Sequence, residues 1–171
     1  MINYKKRIAD DLLDLKLDSF GATLIIGPKG CGKTTTAKQK AKSVIEFQDE
    51  DKRENYLAVA ETMPSKLLIG ENPRLFDEWQ DAPKIWGAIR KSIDDRNESG
   101  LYILTGSSSQ DVKTPHTGTT RISTLKMYPM SLYESNESSG EISLIELFSK
   151  KNMNFVESKL SIDELIFAIC R

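Results

Sequence analysis

Histidine occurs once and cysteine twice in 171 residues, and that scarcity removes several kinds of chemistry at the outset. Cys31 and Cys170 have neither metal-ligand spacing nor a secretory context. A zinc site or a disulfide framework is therefore not the organising feature, and reduced thiols in a cytoplasmic protein are expected. His116 has no partner at ligand spacing and reads as a solvated residue. No apolar run approaches the roughly 18 residues of a membrane span, and Met1-Ile2-Asn3-Tyr4-Lys5 does not open like a signal peptide. Charge of one sign is not in excess either: 24 Lys and Arg stand against 25 Asp and Glu, for a net charge of −1. That balance supplies no global field for a polyanion, so a nucleic-acid partner is not indicated. Lys5-Lys6-Arg7 is too short a basic cluster to argue from and reads as a solvated face.

What is present is glycine at informative places. Gly27-Pro28-Lys29-Gly30-Cys31-Gly32-Lys33-Thr34 is a complete G-x-x-x-x-G-K-[ST] phosphate loop. Its glycines let the backbone curl so that successive N–H groups point at a polyphosphate. Lys33 is expected to reach the β- and γ-phosphates, and the Thr34 hydroxyl to ligate Mg²⁺. At Cys31 only the backbone N–H is required; a redox role for the thiol is the alternative. The flanks fit the mechanics. Ala22-Thr23-Leu24-Ile25-Ile26 suits a strand buried on both faces of a parallel sheet. Thr34-Thr35-Thr36-Ala37 through Lys42, with Ala37 and Ala41 on one face, reads as a helix whose N-terminus adds its positive dipole end to the phosphate site. The other reading, a Lys- and Gly-rich surface turn, does not account for those flanks.

The length suits one α/β domain with a sizeable core. Residues 2–17 look like a helix carrying Ile8, Leu12, Leu13, Leu15 and Leu17. Strands are expected at 22–26, 43–47, 101–105 and 122–127, and a short one ends at Leu75-Phe76. Helices are expected at 53–61 and at 83–97, where Ile85, Trp86, Ile89 and Ile93 form a stripe behind Pro83. Residues 110–120 read as a polar loop. The alternation predicts a mainly parallel sheet with helices on both faces, and in such sheets ligands bind at the carboxyl ends of the strands. The phosphate loop, Asp77-Glu78 and Ser107 all fall just beyond apolar runs.

Triphosphate hydrolysis needs an acidic group for Mg²⁺ and a base or orienter for water. Asp77 is assigned to the metal and Glu78 to the water; the alternative is a pair of ordinary exposed carboxylates. Among Thr105, Ser107 and Ser108, Ser107 is the choice for sensing the γ-phosphate or holding the lytic water, against a simple cap or turn. Arg121 is the candidate arginine finger toward a neighbouring subunit, against a weak surface ion pair. Trp79 and Trp86 read as packing, and Gln80 as a structural hydrogen-bonding residue.

Taken in order, the phosphate loop, Leu75-Phe76-Asp77-Glu78-Trp79-Gln80, Ile103-Leu104-Thr105-Gly106-Ser107-Ser108, and Arg121-Ile122 through Met127-Tyr128-Pro129-Met130-Ser131-Leu132-Tyr133-Glu134 resemble a prokaryotic branch of the AAA-type ATPases. Members of that branch carry a C-terminal domain with a restriction-nuclease-like fold. The resemblance implies a P-loop NTPase with a five-stranded AAA-type core over 1–160 and the start of a helical lid at 161–171, the rest of a longer chain being absent. It implies ATP and Mg²⁺ as ligands and possible homo-oligomers. Gly27 to Thr35 would hold the nucleotide, Thr34 and Asp77 the metal, and Lys33, Glu78, Ser107 and Arg121 would carry the chemistry. Two other functions use the same loop: a nucleotide-gated binding module with negligible turnover, and a small-molecule kinase, which usually needs an arginine-rich lid.

Overall fold

The computed structural model describes residues 4–107, 120–138, 140–149 and 160–169. Ser108, His116, Cys170 and most of the polar loop expected at 110–120 lie outside the described residues.

Five strands alternate with helices. The strands are β1 (Ala22–Gly27), β2 (Ser43–Glu46), β3 (Arg74–Asp77), β4 (Tyr102–Ser107) and β5 (Ile122–Lys126). The helices among them are α1 (Ile8–Ser19), α2 (Lys33–Lys40), α3 (Arg53–Thr62) and α4 (Lys84–Arg96), with 3₁₀ turns at Pro64–Leu68 and Trp79–Asp81. The sheet has the order β2-β3-β4-β1-β5, and its described ladders are all parallel. Helical crossovers enforce this, because a parallel neighbour cannot be reached through a tight hairpin.

Side-chain alternation along the strands divides the core into two layers. Ala22, Leu24, Ile45, Phe76, Tyr102, Leu104 and Ile122 pack toward α3 and α4. Ile25, Leu75, Ile103 and Leu125 pack toward α1 and α2, against Leu13, Leu17 and Ala37. The sheet is thus covered on both faces, as the apolar runs at 22–26 and 101–105 require. The stripe on α4 faces inward as expected: Ile85, Trp86, Ile89 and Ile93 are all buried. Burying Ile89 alone is worth about 1.5–3 kcal/mol. Trp79 and Trp86 meet with ring centroids 4.9 Å apart inside that layer, so both tryptophans are core. Asn97, at φ 52°, ends α4 by sending its N–H to the Ile93 carbonyl at 2.8 Å.

The N-terminal helix expected over 2–17 begins only at Ile8. The Asp10 carboxylate accepts the Arg7 backbone N–H at 2.6 Å, which fixes the start of the helix there. The strand expected at 43–47 ends one residue early, although the Phe47 N–H still reaches the Asp77 carbonyl at 3.3 Å.

Contacts divide the chain into two units. Arg7–Pro129 holds the sheet and its helices. Met1–Lys6 and Met130–Arg171 form the other unit. Its described helices are α5 (Leu144–Phe148) and α6 (Ile162–Ile169), the latter where an amphipathic helix is expected from Ser161. Ser161 and Glu164 cap α6 reciprocally: the Ser161 N–H donates to Glu164 Oε2 at 2.8 Å and the Glu164 N–H to Ser161 Oγ at 3.3 Å.

Candidate nucleotide-binding site

The loop leaves β1 at Gly27 and enters α2 at Lys33. Two of its glycines are needed for different reasons. A Cβ on Gly27 would stand 2.3 Å from the Met127 carbonyl oxygen, so only hydrogen fits beside the end of β5. Gly32 sits at φ +94°, where side-chain-bearing residues are strained. A Cβ at Gly30 would meet nothing within 4 Å, so the turn of the loop is open to a ligand. The first amides of α2 lack intrahelical acceptors and point out of the helix end, as anion sites require. Lys33 is only 6% exposed, and its ammonium donates to the carbonyls of Gly27 at 3.1 Å and Pro28 at 3.0 Å. Those bonds lay the lysine along the loop it would serve. Cys31 is buried, its thiol 3.9 Å from the Met127 carbonyl. Pro28, Lys29, Gly30 and Thr35 are exposed.

Opposite the loop stands the tip of β3. The Thr34 hydroxyl donates to Asp77 Oδ1 at 2.7 Å. Strand β4 lies between β1 and β3, which places a third group in the gap: the Thr105 hydroxyl donates to the same oxygen at 2.5 Å. Thr105 Oγ1 also accepts the Glu78 backbone N–H at 3.1 Å. Of the hydroxyls weighed from sequence, Thr105 is thus joined to the acidic pair, and Ser108 lies outside the described residues. Ser107 is paired in register with Gly27, at the root of the loop.

Asp77 and Glu78 are adjacent, so in a continuing strand they would face opposite sides of the sheet. The backbone avoids this by leaving the strand. Glu78 adopts φ 54° and ψ 50°, a left-handed conformation, and opens the 3₁₀ turn at Trp79–Asp81. Such a conformation at a non-glycine costs on the order of 1–3 kcal/mol and concentrates at functional positions. Gln80 then donates to Glu78 Oε2 at 2.5 Å, the structural hydrogen bond expected of it.

Arg121 lies elsewhere. It precedes Ile122, which pairs with Ala22 at the opening of β1, whereas the loop follows the other end of that strand. The length of β1 puts about 16 Å between those two edges of the sheet. Its guanidinium is ion-paired with Asp94 on α4. The chain does not bring Arg121 to its own phosphate loop.

The expectation for Arg7 needs correcting. It is not part of a solvated basic face but is 6% exposed. Its Nη1 donates to the Cys31 carbonyl at 3.0 Å and its Nη2 to the Tyr128 carbonyl at 2.9 Å. In sequence nothing sets it apart from Lys5 and Lys6; in the fold it is the N-cap residue of α1, with its side chain turned inward.

The donor set suits a hard cation. Threonine and aspartate oxygens converge at 2.7 Å, and a Mg²⁺ ion typically takes one or two such protein oxygens with phosphates and water. Among the described residues no cluster of three or more His, Cys, Asp or Glu is placed to hold a metal.

A parallel sheet whose first strand feeds a glycine loop and helix, with an acidic tip one strand beyond its neighbour, defines the P-loop NTPase class. Within that class the chain belongs to the AAA domain family, whose model matches residues 19–136. It is therefore a nucleotide-binding, ATPase-like core. Among solved structures it is similar to that of C. elegans PCH-2, with 17% sequence identity and a TM-score of 0.42 over 91% of this chain and 48% of that one. The chain thus spans about half the length of that protein's structure. No curated protein matches it at a significant level. No helix among the described residues is long and apolar enough to cross a membrane.

Proposed function

We propose that this chain binds ATP with Mg²⁺ and hydrolyses it. The observation that carries the reading is the Thr34–Asp77 contact of 2.7 Å, because it unites two oxygens from distant parts of the chain at the mouth of the phosphate loop. Gly27 to Thr35 supply backbone amides and the Lys33 ammonium to the phosphates. Thr34 and Asp77 hold the metal, which when bound neutralises charge on the phosphate oxygens. Glu78 orients the attacking water and takes its proton; its carboxylate is steadied by Gln80 and its backbone by Thr105. Ser107, at the root of the loop, senses the γ-phosphate. Arg121, at the opposite edge of the sheet from its own loop, acts on the nucleotide of a neighbouring copy. By the likeness to the prokaryotic branch, the nucleotide cycle drives a restriction-nuclease-like C-terminal module in a cytoplasmic assembly.

Phosphate release by the protein, with Glu78→Gln as control, is the test. Loss of turnover with ATP affinity retained is the expected result; activity unchanged by that substitution removes Glu78 as the base. A second reading, a nucleotide-gated switch with negligible turnover, is favoured by the pairing of Arg121 with Asp94. It predicts ATP binding abolished by Lys33→Ala and no phosphate release at any protein concentration.

A further inference from the structure

The phosphate loop has a back as well as a front. An amide that faces inward to hold phosphate has, across its peptide plane, a carbonyl that faces the other way, and something has to hold it there. At Cys31 the holder is Arg7. The Cys31 carbonyl and the Gly32 N–H belong to one planar trans peptide, on which the two groups point in opposite directions. The Arg7 Nη1 bond to that carbonyl, at 3.0 Å, therefore sets the direction of the Gly32 amide on the other side. The same guanidinium crowds Gly32: a Cβ there would lie 3.3 Å from Arg7 Nη1. A carbonyl held by a buried, ionised donor is held more firmly than one held by a neutral donor.

The second prong of the fork reaches Tyr128. That residue follows β5, whose end is itself tied to β1 by the Met127 N–H to Ile26 carbonyl bond of 2.7 Å. One side chain thus joins the phosphate loop to the chain that follows β5.

We propose that Arg7 is a positioning residue for nucleotide binding: by gripping the Cys31 and Tyr128 carbonyls together it aims the loop amides at the phosphates and fastens the loop to the chain that follows β5. This rests on the nucleotide-binding reading above. Lysine cannot replace the fork, since a single ammonium lacks two parallel donors at fixed spacing.

The experiment is calorimetric titration of ATP with Mg²⁺ into wild type, Arg7→Ala and Arg7→Lys, each checked for native far-ultraviolet circular dichroism. Arg7→Ala is expected to weaken ATP binding at least tenfold, and millimolar guanidinium to recover part of that loss. Rescue by added guanidinium is a readout that general destabilisation would not give. Arg7→Lys, which keeps charge and stem and should fold even if Arg7→Ala does not, is expected to bind ATP several-fold more weakly than wild type. Affinity within twofold of wild type in either folded variant overturns the assignment. Failure of the wild type itself to bind ATP would instead overturn the nucleotide reading, and the wild-type titration separates the two outcomes.

Discussion

Thr105 has no exposure to solvent, yet it carries a hydroxyl that serves two masters, donating to Asp77 and accepting from the Glu78 amide. Thr105→Val keeps the β-branched shape and removes both bonds. The Glu78 N–H would then be left without its acceptor, at about 1–3 kcal/mol. The urea midpoint should fall accordingly, and phosphate release should drop further than ATP affinity does, because the group released is the proposed base. Equal losses in binding and turnover would mean that Thr105 supports only the fold. The residue scale is also where sequence reading was least sharp. Thr105, Ser107 and Ser108 look alike along the chain. That Thr105 comes to lie beside the tip of β3 follows from the place of β4 in the sheet, reached through a crossover that no local pattern announces. Arg7 was hidden for the same reason: burial of a guanidinium depends on what folds over it.

At the scale of elements, the phosphate loop is as much a packing device as a binding one. Gly27 faces the Met127 carbonyl so closely that Gly27→Ala must push β5 away from β1. Overpacking of that kind costs on the order of 1–3 kcal/mol. A lowered melting temperature together with lost ATP binding is expected; a variant that melts like wild type would show that the β1–β5 edge yields freely. Helix α6 offers a prediction in pH. Hydrogen bonds from the Ser161 N–H and hydroxyl hold the Glu164 carboxyl below its ordinary value. Because the folded-state value is the lower one, the cap's contribution is present above the ordinary carboxylate value and is lost as pH falls through the lowered one. The Ser161 amide resonance should therefore titrate with an apparent midpoint below that of a free glutamate. A midpoint at or above the free value would dismiss the capping box as a solution feature.

Taking the molecule whole, the distance between Arg121 and the loop of its own chain matters most. An arginine finger supplied from a second copy is worth about 10³–10⁵ in rate. Specific phosphate-release activity is accordingly expected to rise steeply with protein concentration, and Arg121→Ala to flatten that rise while leaving ATP affinity in place. Activity per molecule that is constant across concentration would favour a different finger, and no release at any concentration the switch reading. ATP binding itself should raise global stability, by about 2.7 kcal/mol at a hundredfold excess over Kd. Lys33→Ala should abolish that gain in a thermal-shift measurement.

Sequence alone determined the class of chemistry. A phosphate loop is a contiguous string because its work is done by consecutive backbone amides, and the strand before it and helix after it are local as well. Apolar runs and the α4 stripe likewise announced a sheet covered on two faces, since burial periodicity is written residue by residue. Tertiary structure alone decided which distant groups meet: that Thr34 touches Asp77, that Thr105 stands between them, that Glu78 leaves its strand to escape the sheet's alternation, and that Arg7 turns inward behind the loop. Those are consequences of strand order and crossover, and order is settled by the free energy of the whole core rather than by any segment of it.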